Sequence, residues 1–145
     1  MIIQILVGSL VSVINIMIHA LTTVAAIGIA RYAGLRTSSR PRLHLMGVMV
    51  ATASVLLAAH IFEVIVWALV YWLLGVAPGG ADLVYFSFVN YTTLGYGDVI
   101  PVEEWRLLGP MTAMNGVLMF GWSTAVLFEV MLKAIERYAS FPSSS

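Results

Sequence analysis

Three apolar runs, Ile2 to Ala30, Leu43 to Leu74 and Leu107 to Ile135, take up most of this chain. Each exceeds the roughly 20 residues that a helix needs to cross a bilayer, so the fold must be built around helices that end up in lipid. The composition agrees: 61% of the 145 residues are hydrophobic and 10% charged, a balance that a soluble domain rarely shows. No cysteine is present, which excludes disulfides and thiolate metal sites. Zero net charge argues against a general affinity for nucleic acid. The first run has no Lys, Arg, Asp or Glu and nothing basic before Arg31, so it lacks the basic leader of a signal peptide and reads as a retained span.

The charges orient the spans. Arg31, Arg36, Arg40 and Arg42 lie between the first two runs with no acidic residue among them, and the positive-inside rule puts that loop in the cytoplasm. The N-terminus and the segment from Gly75 to Arg106 are then outside, and Lys133 and Arg137 inside. The outer segment carries Asp82, Asp98, Glu103 and Glu104 against Arg106 alone. Acidic residues at an outer mouth concentrate cations.

That outer segment is too interrupted for a fourth span. Val76-Ala-Pro-Gly-Gly80 breaks the chain, and residues 81–91 then read as a helix of about three turns, with Asp82 suited to its N-terminal end. Thr92-Thr-Leu-Gly-Tyr-Gly-Asp98 follows. Two glycines around a tyrosine allow backbone conformations that let successive carbonyls point one way, and irregular backbone is tolerated at membrane depth only inside protein or along water.

The segment closely resembles the selectivity filter of potassium channels, whose usual form is Thr-Val-Gly-Tyr-Gly followed by Asp; Leu94 stands here for Val. The resemblance runs position by position over Leu83 to Pro101, and the flanking helices fit in order. It implies a re-entrant pore helix and filter over residues 81–98, an outer helix over 43–74, an inner pore-lining helix over 107–135, and an additional peripheral span over 2–30. Potassium would be bound by Thr93, Leu94, Gly95 and Tyr96, with Gly97 completing the row of carbonyls. Thr92 and Asp98 would support the filter, with Tyr96 bracing it and Leu94 altering packing more than coordination.

Other departures concern how the filter is held. Where the family often has a Trp-Trp pair, this chain has Tyr85-Phe86, and phenylalanine cannot donate a hydrogen bond. Tyr85 remains able to offer its hydroxyl to Asp98. Val89 occupies a position where some bacterial members carry a Glu paired with the filter aspartate, so no carboxyl pair forms here. Asn90-Tyr-Thr92 has the form of a glycosylation sequon but falls in the expected pore helix, where it is coincidental.

In the third run Gly116 and Gly121 have a spacing similar to that of inner-helix hinges; close helix packing is the competing reading. Asn115, Ser123 and Thr124 should face water or neighbouring helices, with Asn115 a cavity candidate. Glu129 either rings the inner mouth or pairs with Lys133 at i,i+4. Trp67, Trp72 and Trp105 are interface anchors or packing groups, and Trp122 is expected buried between helices. The serine-rich end, Ala139 to Ser145, reads as disordered.

Ionisable groups in lipid are costly, so His60 and Glu63 need an account. His60, Glu63, Trp67 and Tyr71 share one helical face, and the first run offers Asn15, His19, Thr22 and Thr23 on a matching stripe. Counting from the arginine loop sets Asn15 level with His60. A polar seam between the first two helices is one reading, and a proton-sensitive His60–Glu63 pair the other.

One filter copy encloses nothing, so the expected unit is a C4 homotetramer of a single-domain, all-α membrane protein spanning residues 1–145. The resemblance implies a potassium-selective channel, not an enzyme, with K+ as permeant ion and no cofactor, in the plasma membrane. The compact form looks prokaryotic, pointing to a bacterial inner membrane. Its expected partners are further copies of itself, lipid and K+. A weakly selective cation channel and a potassium transporter subunit are the rivals. No span carries regularly spaced arginines, so a voltage sensor of the usual kind is not expected.

Overall fold

The computed structural model describes residues 1–34 and 40–139. The centre of the arginine loop, including Arg36, and residues 140–145 of the serine-rich end lie outside them. Four α-helices follow in order: α1 (Ile2–Gly34), α2 (Pro41–Leu74), α3 (Leu83–Tyr91) and α4 (Leu108–Ala139), with a 3-10 turn at Glu103–Trp105. No strand occurs among the described residues. The long helices have 33, 34 and 32 residues. At 1.5 Å per residue each is about 50 Å long, more than the roughly 30 Å hydrocarbon core. All three contain windows apolar enough to cross a membrane, with mean hydropathy of 2.0, 2.2 and 1.4. The chain is a multi-pass membrane protein.

Local chemistry sets the helix ends. Pro41 opens α2, where its missing N–H costs nothing. Gly75 closes it in the left-handed region at φ 61°, and the Val76 N–H then returns to the Tyr71 carbonyl at 3.0 Å. The Val76 carbonyl accepts from the Val102 N–H at 2.8 Å, tying the chain before α3 to the chain after the glycine motif. Helix α3 begins at Leu83, two residues later than read from sequence, because Asp82 is its N-cap and accepts from the Tyr85 N–H at 3.0 Å.

Helix α1 packs against both α2 and α4, and α3 sits against α2 and α4. The common core contains Val11, Val64, Trp67, Tyr71, Val76, Phe86, Tyr91, Leu108 and Met119. Polar side chains fasten the layers. Asn90 Nδ2 donates to the Tyr71 hydroxyl at 3.3 Å, Tyr71 and Thr112 are joined at 2.6 Å, and Thr112 Oγ1 donates to the Leu108 carbonyl at 2.8 Å. Gln4 reaches from the start of α1 to accept from the Leu107 N–H at 3.0 Å. Helix α1 is thus stitched to the entry of α4 as well as to α2. Ser12, Thr22, Thr52, Ser54 and Thr124 turn their hydroxyls back to carbonyls four residues earlier, which satisfies them within their own helices.

Candidate functional site

The end of α3 leads straight into the glycine motif. The Leu94 N–H bonds the Val89 carbonyl at 2.9 Å and the Thr93 N–H bonds the Asn90 carbonyl at 3.0 Å. This is a Schellman closure, and the residue at its left-handed position is Thr93, at φ 61°. Glycine normally takes that place, since a β-branched residue at positive φ is strained. Gly95 and Gly97 follow with φ 58° and 77°, whereas Leu94 and Tyr96 are not in the left-handed region. The sign of φ therefore alternates along residues 93–97. The glycines were foreseeable from sequence and Thr93 was not.

Residues 92–98 are exposed throughout in the single chain, with Leu94 at 52% and Tyr96 at 67%. Behind them the support is dense. Phe86 is buried and packs on the Tyr71 ring at 5.2 Å between centroids. Val89 is also buried, and its carbonyl carries the Schellman bond. Tyr85 stays partly exposed; hydrogen bonding to the Asp98 carboxylate raises its phenol above the ordinary pKa, with burial and the Asp98 charge acting the same way.

Gly116 lies directly under this closure. A Cβ there would overlap the Tyr91 carbonyl oxygen and crowd the Tyr91 ring, whereas one on Gly121 would meet nothing within 4 Å. Gly116 is thus a point of close helix contact. Asn115 is buried rather than open to a cavity in the single chain: its Oδ1 accepts from Asn15 Nδ2 and from Trp67 Nε1, both at 3.0 Å. Glu129 and Lys133 form an exposed ion pair at 2.6 Å. Trp122 is 36% exposed instead of buried and meets the His19 ring edge-on.

His60, Glu63, Trp67 and Tyr71 do form one buried face. The polar seam is wider than two helices, however, since Tyr91 of α3 and Ser123 and Asn115 of α4 join it. Its register also differs by one turn: His19, not Asn15, lies level with His60, with ring centroids 5.2 Å apart. Asn15 instead reaches the Glu63 carbonyl and Asn115. Counted from the observed helix ends, Gly34 and Pro41, Asn15 and His60 would still be level, so the difference lies in how α1 and α2 are staggered and cross, which a count along each helix does not contain.

A short helix thus runs into exposed backbone of alternating φ sign, set between two long apolar helices. The family model described as "Ion channel" matches residues 55–133, more than half of the chain, and the chain belongs to that family, a two-transmembrane potassium-channel type of domain. The match covers most of α2, all of α3 and the glycine motif, and α4 to Lys133; α1 lies outside it. Comparison with curated proteins and with solved structures finds no match.

Proposed function

We propose that the protein is a potassium-selective channel in which four copies bring residues 93–97 together around one axis. The positive φ of Thr93, Gly95 and Gly97, alternating with Leu94 and Tyr96, is the observation that carries this reading. Alternation of this kind turns successive peptide planes the same way, so that one side of the strand is lined with carbonyl oxygens. Four such strands replace the hydration shell of a cation. The exposure of residues 92–98 in the single chain supports assembly, because an apolar membrane protein has little reason to leave a tyrosine and a leucine on bare irregular backbone. Helix α3 enters and leaves on the same side as a re-entrant helix, with its carbonyl end towards the ion path, where the helix dipole favours a cation.

In this reading Thr93, Leu94, Gly95 and Tyr96 hold K+, and Gly97 completes the row. The Arg31–Arg42 loop faces the cytoplasm and the α3 region the outside of the plasma membrane. Liposome flux tests the proposal: potassium should pass and sodium should not. Equal passage of the two would favour the weakly selective alternative, in which Phe86, unable to donate a hydrogen bond, leaves the filter too loose.

The Tyr85–Asp98 contact gives a further expectation. With the phenol raised above its ordinary value of 10.0, its contribution is present below that pH and is lost as the pH climbs through the raised value. Tyr85→Phe should therefore hasten loss of current during steady conduction and remove the alkaline part of that loss. Unchanged currents in the variant would show that the filter is braced elsewhere.

A further inference from the structure

Five buried side chains, drawn from all four helices, close a circuit of hydrogen bonds that ion conduction itself does not require. Glu63 Oε1 is 2.8 Å from His19 Nδ1, and His19 Nε2 is 3.2 Å from Ser123 Oγ. Ser123 Oγ is 2.9 Å from His60 Nε2, and His60 Nδ1 is 3.0 Å from the Tyr91 hydroxyl. Tyr91 closes the circuit by donating to Glu63 Oε2. None of the five side chains belongs to an exposed residue, and His19 and Glu63 are fully buried.

The number of hydrogens in this circuit is fixed by its chemistry. Five bonds need five hydrogens, one in each. Tyr91, Ser123 and two neutral histidines supply four. With Tyr91 donating to Glu63, His60 Nδ1–H donates to Tyr91, Ser123 to His60 Nε2, and His19 Nε2–H to Ser123. The gap that remains is between His19 Nδ1 and Glu63 Oε1. A fifth hydrogen fills it, either as a protonated Glu63 or as an imidazolium on His19 facing a carboxylate. In both cases the circuit carries no net charge. With four hydrogens two acceptors face each other and the net charge is −1; with six, two donors collide and it is +1. Both charged states are costly in an apolar interior.

We propose that this circuit is a binding site for one exchangeable proton, whose loss or gain loosens the seat of the filter. Tyr91 is the mechanical link. It is the last residue of α3, immediately before Thr92, and its backbone rests on Gly116 while its ring meets Phe120 at 5.5 Å between centroids. Tyr91 makes two of the five bonds, and when the hydrogens shift round the circuit so that the gap falls on one of them, Tyr91 is freed from Glu63 or His60 and α3 sits differently between α2 and α4. His60, whose side chain keeps 11% exposure, is the entry point for the proton.

No other ionisable side chain competes for this role. Between Ile2 and Ala30, Leu45 and Leu74, Leu83 and Tyr91, and Leu108 and Phe128 there is no Asp, Glu, His, Lys or Arg besides His19, His60 and Glu63. Tyr71 and Tyr85 are tyrosines of α2 and α3, and Tyr71 is bonded to Asn90 and Thr112. Glu129, beyond Ser123 on α4, is held by Lys133. His19, His60 and Glu63 also bring ligand-type atoms within 4.8 Å of one another, as a divalent cation would require. Yet a tetrahedral ion with bonds of about 2.0 Å spreads its donors to about 3.3 Å. The 2.8 Å between His19 Nδ1 and Glu63 Oε1 suits a shared hydrogen instead.

This inference deepens the channel reading by naming a regulator of the same pore, and its direct test does not depend on ion flux. The full chain contains three histidines, His19, His44 and His60. With 15N-labelled histidine in lipid bilayers, NMR reports the charge and tautomer of each across pH. Because the hydrogens can shift bond by bond through both rings, His19 and His60 are expected to change together, in one step on the acid side and one on the alkaline side, with one proton in each. Channel open probability should follow as a bell-shaped profile. Glu63→Gln has an amide that supplies the fifth hydrogen permanently, so it should abolish the alkaline step and keep the acid one. Ser123→Ala removes no ionisable group but cuts the circuit between the histidines, which should then titrate separately.

Independent titration of His19 and His60 in the wild type would overturn the proposal. So would an alkaline step that survives in Glu63→Gln, or a response that appears only with added Zn2+ and vanishes with chelator. Concerted histidine signals in a protein that passes sodium as well as potassium would uphold the circuit and overturn only the potassium reading.

Discussion

Replacing Gly116 by alanine is expected to destabilise the protein by about 2 kcal/mol or more and to abolish current. Overpacked cores typically lose about 1–3 kcal/mol, and this site is at the harsher end because the colliding atoms are the backbone carbonyl of Tyr91 rather than the tip of a flexible side chain. Helix α4 would have to move away from α3, or Tyr91 would have to shift and break its bonds with Glu63 and His60. Gly121→Ala is the matched control. Nothing lies within 4 Å of its added methyl, and alanine improves helix propensity by about 1 kcal/mol, so it should be neutral or stabilising. Thermal unfolding of both variants in detergent, followed by current in bilayers, checks the pair. A stable Gly116→Ala protein with altered opening would favour a hinge over close packing.

Gly95→Ala should leave the subunit folded but remove discrimination between potassium and sodium. The single chain has room for the methyl, whose nearest neighbour is the Thr93 carbonyl at 4.0 Å. The penalty comes from φ 58°, a conformation that costs an L-residue about 1–2 kcal/mol. In the proposed tetramer that strain counts four times. Relaxing it means turning the peptide, which removes a carbonyl from the ion path. Reversal potentials in mixed potassium and sodium solutions are the check. Full potassium selectivity in Gly95→Ala would mean that the left-handed conformation at this position does not shape the pore.

The contrast between these glycines shows what was legible in the sequence. Three spans, the short helix with Asp82 near its start and the break at Val76 to Gly80 follow from hydropathy, helix-end chemistry and turn residues, all of which act over a few neighbours. The positive φ of Gly95 and Gly97 follows in the same way, since glycine is the residue that adopts it without strain. Thr93 could not be read, because its conformation is imposed by the Schellman closure of α3 and runs against its own preference. Gly116 left hinge and packing equally open until Tyr91 was seen beneath it.

The polar seam was legible by helix face but not by partner. The periodicity of His60, Glu63, Trp67 and Tyr71 identifies a buried face, and Asn15 and His19 a matching one. What it cannot supply is the register between helices, which depends on how they are staggered and cross; an offset of one turn between α1 and α2 was enough to exchange Asn15 for His19. Tyr91 reads in sequence only as the residue before the filter, and Ser123 as one of three polar positions on α4. Their place in the circuit follows from long-range packing of α3 and α4 onto α2.

Everything proposed for conduction depends on residues 93–97 forming a potassium-selective filter. The most direct test is the reversal potential of the purified protein in a planar bilayer, with potassium on one side and sodium on the other. The alternating backbone predicts a value close to the Nernst limit for potassium. A robust current reversing near zero would contradict it and leave the protein as a weakly selective cation channel.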